Sequence, residues 1–212
     1  INNGFYESEL RKMGIKIYSL KINPKNKIFD IVKKVFNLRK LIINQSPDII
    51  QSWMYHSNFL TLFIPNKFYN KLFWNIRHAE LNLYISKKMT IFLSLICGIF
   101  SKFVPKKVIY CSEKSIKFHE KQHFYDKNKT VLIYNGCDHE KYFPSKKLRI
   151  NFRKKHNIKK TQIVLGFAGR YAKQKNIPSL LSAFSKIIKK YKHVYLYMAG
   201  KDINSQNKEL ID

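Results

Sequence analysis

The sequence predicts an α/β protein with parallel sheets covered by helices on both faces. Three observations predict it. Short runs rich in β-formers recur along the chain, at 14–20, 49–53, 72–77, 107–111, 131–134, 163–167 and 194–198. Stretches with apolar residues at helical spacing separate many of them. Strands that alternate with helices are joined by crossovers, which lay the helices on the sheet faces.

Each element has its own local reason. Residues 14–20 (Gly-Ile-Lys-Ile-Tyr-Ser-Leu) alternate apolar and polar, as a strand does. Residues 28–45 carry Ile28, Val32, Val35, Phe36 and Ile42 at near-helical spacing. Ser46-Pro47 ends that helix, because the residue before proline is driven out of the α region. Strands follow at 49–53 and 72–77. The apolar stretch 89–103 reads as a buried helix, 107–111 as a strand and 113–123 as a helix. The strand at 131–134 runs into Asn135-Gly136, a turn signal. Residues 138–160 are very basic and read as irregular. A strand at 163–167, a helix at 178–191 and a strand at 194–198 complete the series. The basic, strand-free stretch is the natural boundary, giving a first domain at 1–142, a linker at 143–160 and a second domain at 161–212.

Composition bounds the function. Hydrophobic residues make up 45% of the 212 and aromatics 15%, enough for a folded core. Cys97, Cys111 and Cys137 show neither a pairing pattern nor metal-ligand spacing, which suits a reducing cytoplasm. The apolar run at 89–100 is shorter than the roughly 20 residues a membrane span needs. Lys and Arg number 41 against 13 acids, a formal charge of +28. Such a surface attracts anionic lipid, nucleic acid or phosphorylated substrates. A compositional origin competes, since Lys, Asn, Ile, Phe and Tyr together mark an AT-rich coding sequence.

Open parallel sheets bind ligands at the carboxyl ends of their strands. Tyr55-His56, Arg77-His78 and Gly169-Arg170 all fall there. Residues 166–176 (Gly-Phe-Ala-Gly-Arg-Tyr-Ala-Lys-Gln-Lys-Asn) are the most informative stretch. Glycine lets a ligand approach the backbone, Arg170 offers a planar fork for phosphate oxygens and Lys175 adds a point charge. Pro178 suits the first turn of the next helix, whose start favours anions. Together they would hold a diphosphate and stabilise it as it leaves. The bland alternative is a solvated basic loop. His78 could exchange a hydrogen bond with a substrate hydroxyl, although a lone histidine is more often structural.

These residues also add up to a resemblance. Residues 133–144 (Ile-Tyr-Asn-Gly-Cys-Asp-His-Glu-Lys-Tyr-Phe-Pro) resemble the I-P-N-G-[VI]-D-x-x-x-F-x-P segment of family 4 retaining glycosyltransferases. Residues 166–176 resemble that family's G-x-x-G-R-x-x-x-x-K-[GN]. Residues 180–184 (Leu-Leu-Ser-Ala-Phe) and 195–200 (Tyr-Leu-Tyr-Met-Ala-Gly) are similar to its next helix and strand. Upstream, 52–56 and 75–78 resemble a branch that makes bacterial surface polysaccharides, and 108–113 fits the strand before the family's S-x-x-x helix.

The resemblance implies a GT-B fold, two Rossmann-like domains facing a cleft, both incomplete here. It implies that Gly169, Arg170 and Lys175 bind the donor diphosphate, and that Arg170 and Lys175 steady the leaving group. His78 would serve the transferred sugar, with Tyr55, His56 and Arg77 on the acceptor side. Asn135 and Gly136 would form the turn into the linker. The donor would be a UDP- or GDP-sugar, with no metal and no further cofactor. The acceptor would be a glycan or lipid-linked molecule in cell-surface polysaccharide or lipopolysaccharide synthesis. The implied location is cytoplasmic, on the inner face of the membrane, with anionic lipid as a partner. The family's glycine-rich loop would precede Ile1 and its acidic E-x7-E segment would follow Asp212, so the 212 residues alone are expected not to turn over. The alternative is a basic, non-catalytic relative that binds anionic membrane or nucleic acid. No helix-turn-helix, zinc-finger or RNP-type motif supports specific nucleic-acid recognition.

Overall fold

A computed structural model describes residues 6–20, 28–84 and 86–211. The chain forms two units, Ile1–Asn135 and Gly136–Asp212. The first unit contains α1 (Glu7–Lys12), α2 (Ile28–Gln45), β1 (Ile50–Trp53), α3 (Met54–Leu60), β2 (Leu72–Ile76), α4 (Lys88–Ser101), β3 (Lys107–Tyr110), α5 (Glu113–Gln122) and β4 (Thr130–Leu132). Its four strands pair in chain order, all parallel. Three connections between successive parallel strands require crossovers, and α3, α4 and α5 lie in them.

Helix α2 has the bounds its spacing predicts, and Ser46 leaves it at φ 41° ahead of Pro47. One expected strand is not found among the described residues. Residues 15–20 join no ladder among the described residues, and Ile15 and Tyr18 are about half exposed. Alternation decides which face a side chain takes, but a strand also needs a neighbour for its backbone groups. None is offered among the described residues.

Strand β2 is the centre of the sheet, with Leu72, Trp74, Asn75 and Ile76 fully buried. Trp74 donates its indole N–H to Thr61 Oγ1 at 2.8 Å, which satisfies the polar end of the largest core side chain. Helix α4 presses closely on the end of α5. A β-carbon on Gly98 would lie 1.6 Å from the His123 carbonyl oxygen, so only glycine allows this approach.

The second unit contains α6 (Lys146–Lys155), β5 (Ile163–Ala168), α7 (Ile177–Lys190), β6 (Val194–Ala199) and α8 (Lys208–Ile211), with β5 and β6 parallel. Two expectations are corrected here. The stretch 138–160 is not irregular throughout, because Ser145 caps α6 by accepting the Leu148 N–H at 3.2 Å. Asn135-Gly136 is not itself a turn. The turn falls at Asp138–Tyr142, where the Asp138 carboxylate accepts the Glu140 and Lys141 N–H groups. Residues 136–142, assigned by sequence to the first domain, lie in the second unit.

Candidate functional site

The carboxyl end of the first unit's sheet gathers Trp53, Asn75, Ile76, Arg77, His78 and Tyr110. Arg77 ties three strand ends together. Its guanidinium lies 4.7 Å from the Trp53 ring and donates to Asn75 Oδ1 at 3.1 Å and Asn135 Oδ1 at 2.9 Å. Arginine suits this role because one plane can stack and donate at once. The structure therefore uses Arg77 as a clamp on its own chain, with both terminal nitrogens engaged and the buried Nε left without a partner among the described residues. Asn135 takes its part as the clamp's far anchor.

Tyr55 is corrected as an acceptor-side candidate. It lies on α3 rather than in a loop, its side chain is fully buried, and its hydroxyl bonds His119 Nε2 at 2.7 Å. Burial pushes its phenol pKa up, so the hydroxyl keeps its proton. His56, one residue on, is exposed.

His78 is half-buried, and its Nδ1 is buried without a hydrogen-bond partner among the described residues. Desolvation holds its pKa below the ordinary histidine value, favouring a neutral ring near neutral pH. Its ring centroid lies 5.8 Å from that of Tyr55, and its carbonyl accepts the Ser115 hydroxyl at 2.6 Å. Sequence reasoning missed Ser115 and His119. Their signal was the spacing of Ser112, Ser115 and His119, which puts all three on one face of a helix.

In the second unit the carboxyl ends of β5 and β6 carry Gly169-Arg170 and Gly200. Gly200 takes φ 153°, and a β-carbon there would sit 1.9 Å from the Gly169 carbonyl oxygen. The Gly169 N–H donates to Ala199 O at 2.9 Å and the Tyr171 N–H to Lys201 O at 2.8 Å. The loop after β5 is thus laid against the end of β6. It closes in a 3-10 turn at Lys173–Lys175, and Asn176 enters α7 in the left-handed conformation.

This brings three of the predicted residues together. A β-carbon on Gly169 would meet Lys175 Cε at 3.7 Å, so the lysine stem crosses the glycine. Arg170 and Lys175 are exposed, and neither side chain makes a hydrogen bond or ion pair with another described residue. Beside them lies the start of α7, whose first N–H groups have no partner within the helix. Two uncommitted cations flanking Gly169, which the Phe167 ring and the Lys175 stem cover on one side, and a helix start form a cradle for an anion. His78 and His56 belong to the other unit. Among the described residues no group of three or more His, Cys, Asp or Glu is arranged to hold a metal ion. No helix among them is long and apolar enough to cross a membrane.

Comparison with known proteins meets this geometry. The profile of the family "Glycosyl transferases group 1" matches residues 149–212, the segment that contains the cradle. No curated protein sequence matches the chain. Solved structures share its fold along nearly its whole length. One is a glycosyltransferase from Rickettsia africae, at 20% identity and TM-score 0.65, covering 99% of this chain and 54% of that one. Another is Anabaena Alr3699/HepE in complex with UDP-glucose, at 16% identity and TM-score 0.71, with the same coverages. A third is sucrose-phosphate synthase from Thermosynechococcus elongatus, at 14% identity and TM-score 0.61, covering 86% and 45%. The fold is that of GT-B glycosyltransferases, and the chain spans about half the length of these relatives.

Proposed function

We propose that the protein is a GT-B glycosyltransferase of the family 4 retaining type. It moves a sugar from a nucleotide-sugar, a UDP- or GDP-sugar, to a glycan or lipid-linked acceptor in cell-surface polysaccharide synthesis. The observation that carries the proposal is the cradle of Gly169, Arg170 and Lys175, held against Gly200 within the segment the family profile matches. Arg170 grips the donor diphosphate through two parallel N–H···O bonds, and Lys175 neutralises charge as the nucleoside diphosphate leaves. Gly169 lets the phosphate approach the backbone, and the α7 start adds N–H donors. These groups supply the electrostatic stabilisation themselves, with no metal. His78, neutral and half-buried, stands on the acceptor side and bonds a hydroxyl of the transferred sugar. Exposed His56 completes that side.

Titration calorimetry with UDP-glucose and GDP-mannose tests the cradle. Arg170→Ala should weaken donor binding by at least about tenfold, since a charge-assisted phosphate bond is worth about 1.5–3 kcal/mol. Unchanged affinity for every donor that binds the parent chain sinks the assignment.

One further observation favours a peripheral membrane partner. Helix α4 turns Met89, Phe92, Ile99 and Phe100 outward, and Phe103 follows the helix, all about half exposed. Exposed Lys87, Lys88 and Lys102 flank this stripe. An apolar face bordered by lysines suits the surface of an anionic bilayer.

A further inference from the structure

We infer that Ser115, His119 and Tyr55 are positioning residues that hold His78 in place at the sheet edge. The inference rests on the role given to His78 above. A continuous chain of hydrogen bonds, buried except at its His78 end, carries it. The Ser115 hydroxyl donates to the His78 carbonyl at 2.6 Å. One turn along α5, His119 Nδ1 lies 2.7 Å from the Ser115 carbonyl. A carbonyl only accepts, so Nδ1 carries the proton and Nε2 is left with its lone pair. The Tyr55 hydroxyl fills that lone pair at 2.7 Å. The Tyr55 ring then stands 5.8 Å from the rings of both His119 and His78.

His78 is therefore held twice, at its backbone by α5 and at its ring by α3. Ser115, His119 and Tyr55 are each fully buried, so the two bonds that His119 makes lie out of water, while the bond to the His78 carbonyl is part-buried at the sheet edge. The capping of α5 sets the start of the chain, because Ser112 accepts the Ser115 N–H at 3.2 Å and fixes that first turn. A second tie runs outside it, where Lys114 pairs with Glu80 at 2.8 Å. That pair is exposed and adds little. A purely structural histidine could be satisfied by any nearby groups. Here both directions of the chain lead to His78, one to its carbonyl and one to its ring.

Imidazole NMR on the 212-residue chain tests this without depending on transfer activity. The titration of His78 is followed in the parent chain, in Ser115→Ala and in Tyr55→Phe. Burial holds the His78 midpoint below the ordinary 6.5. Freed from its anchor, the loop lets water reach the ring, and the midpoint of Ser115→Ala should rise toward 6.5. Tyr55→Phe keeps the ring and loses only the hydroxyl, so it should give a smaller rise with near-ultraviolet circular dichroism unchanged. An unmoved midpoint in folded Ser115→Ala overturns the inference. If that variant does not fold, an unmoved midpoint in Tyr55→Phe does so instead. Transfer by His78→Ala in an active form of the protein judges the separate question of what His78 does. Full activity there removes its role in transfer, whatever the titrations show.

Discussion

Gly200 and Gly169 meet backbone to backbone: a β-carbon on Gly200 would stand 1.9 Å from the Gly169 carbonyl oxygen. The contact joins the ends of two neighbouring parallel strands and sets where Arg170 begins. It places the proposed diphosphate cradle under the control of a residue about thirty positions downstream that carries no functional group of its own.

Gly200→Ala should therefore damage the cradle without touching it. The new methyl collides with backbone that cannot swing away, and φ 153° is a conformation that alanine resists. Overpacking and strain together should cost at least about 2 kcal/mol. Urea unfolding followed by far-ultraviolet circular dichroism measures the loss. A midpoint equal to that of the parent chain would show that the loop yields freely.

Acid should destabilise the first unit through His119. Desolvation, the largest effect on this residue, lowers its folded pKa from 6.5 to about 4. The unfolded chain then takes up the proton first. The stability contributed by neutral His119 is full above pH 6.5, declines as pH falls toward 4, and falls no further below that. The full span amounts to about 3 kcal/mol. The lowered pKa values of His78 and His123 act in the same direction. Unfolding free energy measured from pH 7.5 to 4 should slope down in the parent chain and less steeply in His119→Gln. Equal slopes would remove His119 as the cause.

Membrane attachment should depend on both charge and the α4 stripe. Sedimentation with phosphatidylglycerol vesicles should capture the protein at low salt. Replacing Phe92 and Phe103 by serine should reduce binding by at least about a hundredfold, because each phenyl side chain buried is worth about 1.5–3 kcal/mol. Binding by this variant as strong as the parent's assigns the attachment to lysine charge alone. No capture at all removes the membrane reading.

The helices were legible in the sequence where periodicity and stop signals agreed. Helix α2 shows this, with its regular apolar spacing and its Ser46-Pro47 end. Strands β2 and β3 were legible for a similar reason, as apolar runs bounded by polar residues. Residues 15–20 were misread because alternation reports a face and says nothing of a partner. Helix α6 was hidden by its six lysines and arginines, which mask a plain serine cap.

The site divided in the same way. The glycine, arginine and lysine of the cradle stand within seven residues of one another, so local spacing could reveal them. Tyr55 follows β1 and Arg77 follows β2 in the chain, yet that position could not reveal their engagement. Tyr55 meets a histidine 64 residues away and Arg77 an asparagine 58 residues away. The sequence by itself determined the alternation of strands and helices and the positions of the residues of the proposed cradle. Those depend on periodicity, capping and turn chemistry, which act over a few residues. Only the tertiary structure decided that Tyr55 is core, that Arg77 is a clamp and that Gly200 supports the cradle. Burial and hydrogen bonding join residues far apart in the chain, and spacing along it carries no record of that pairing.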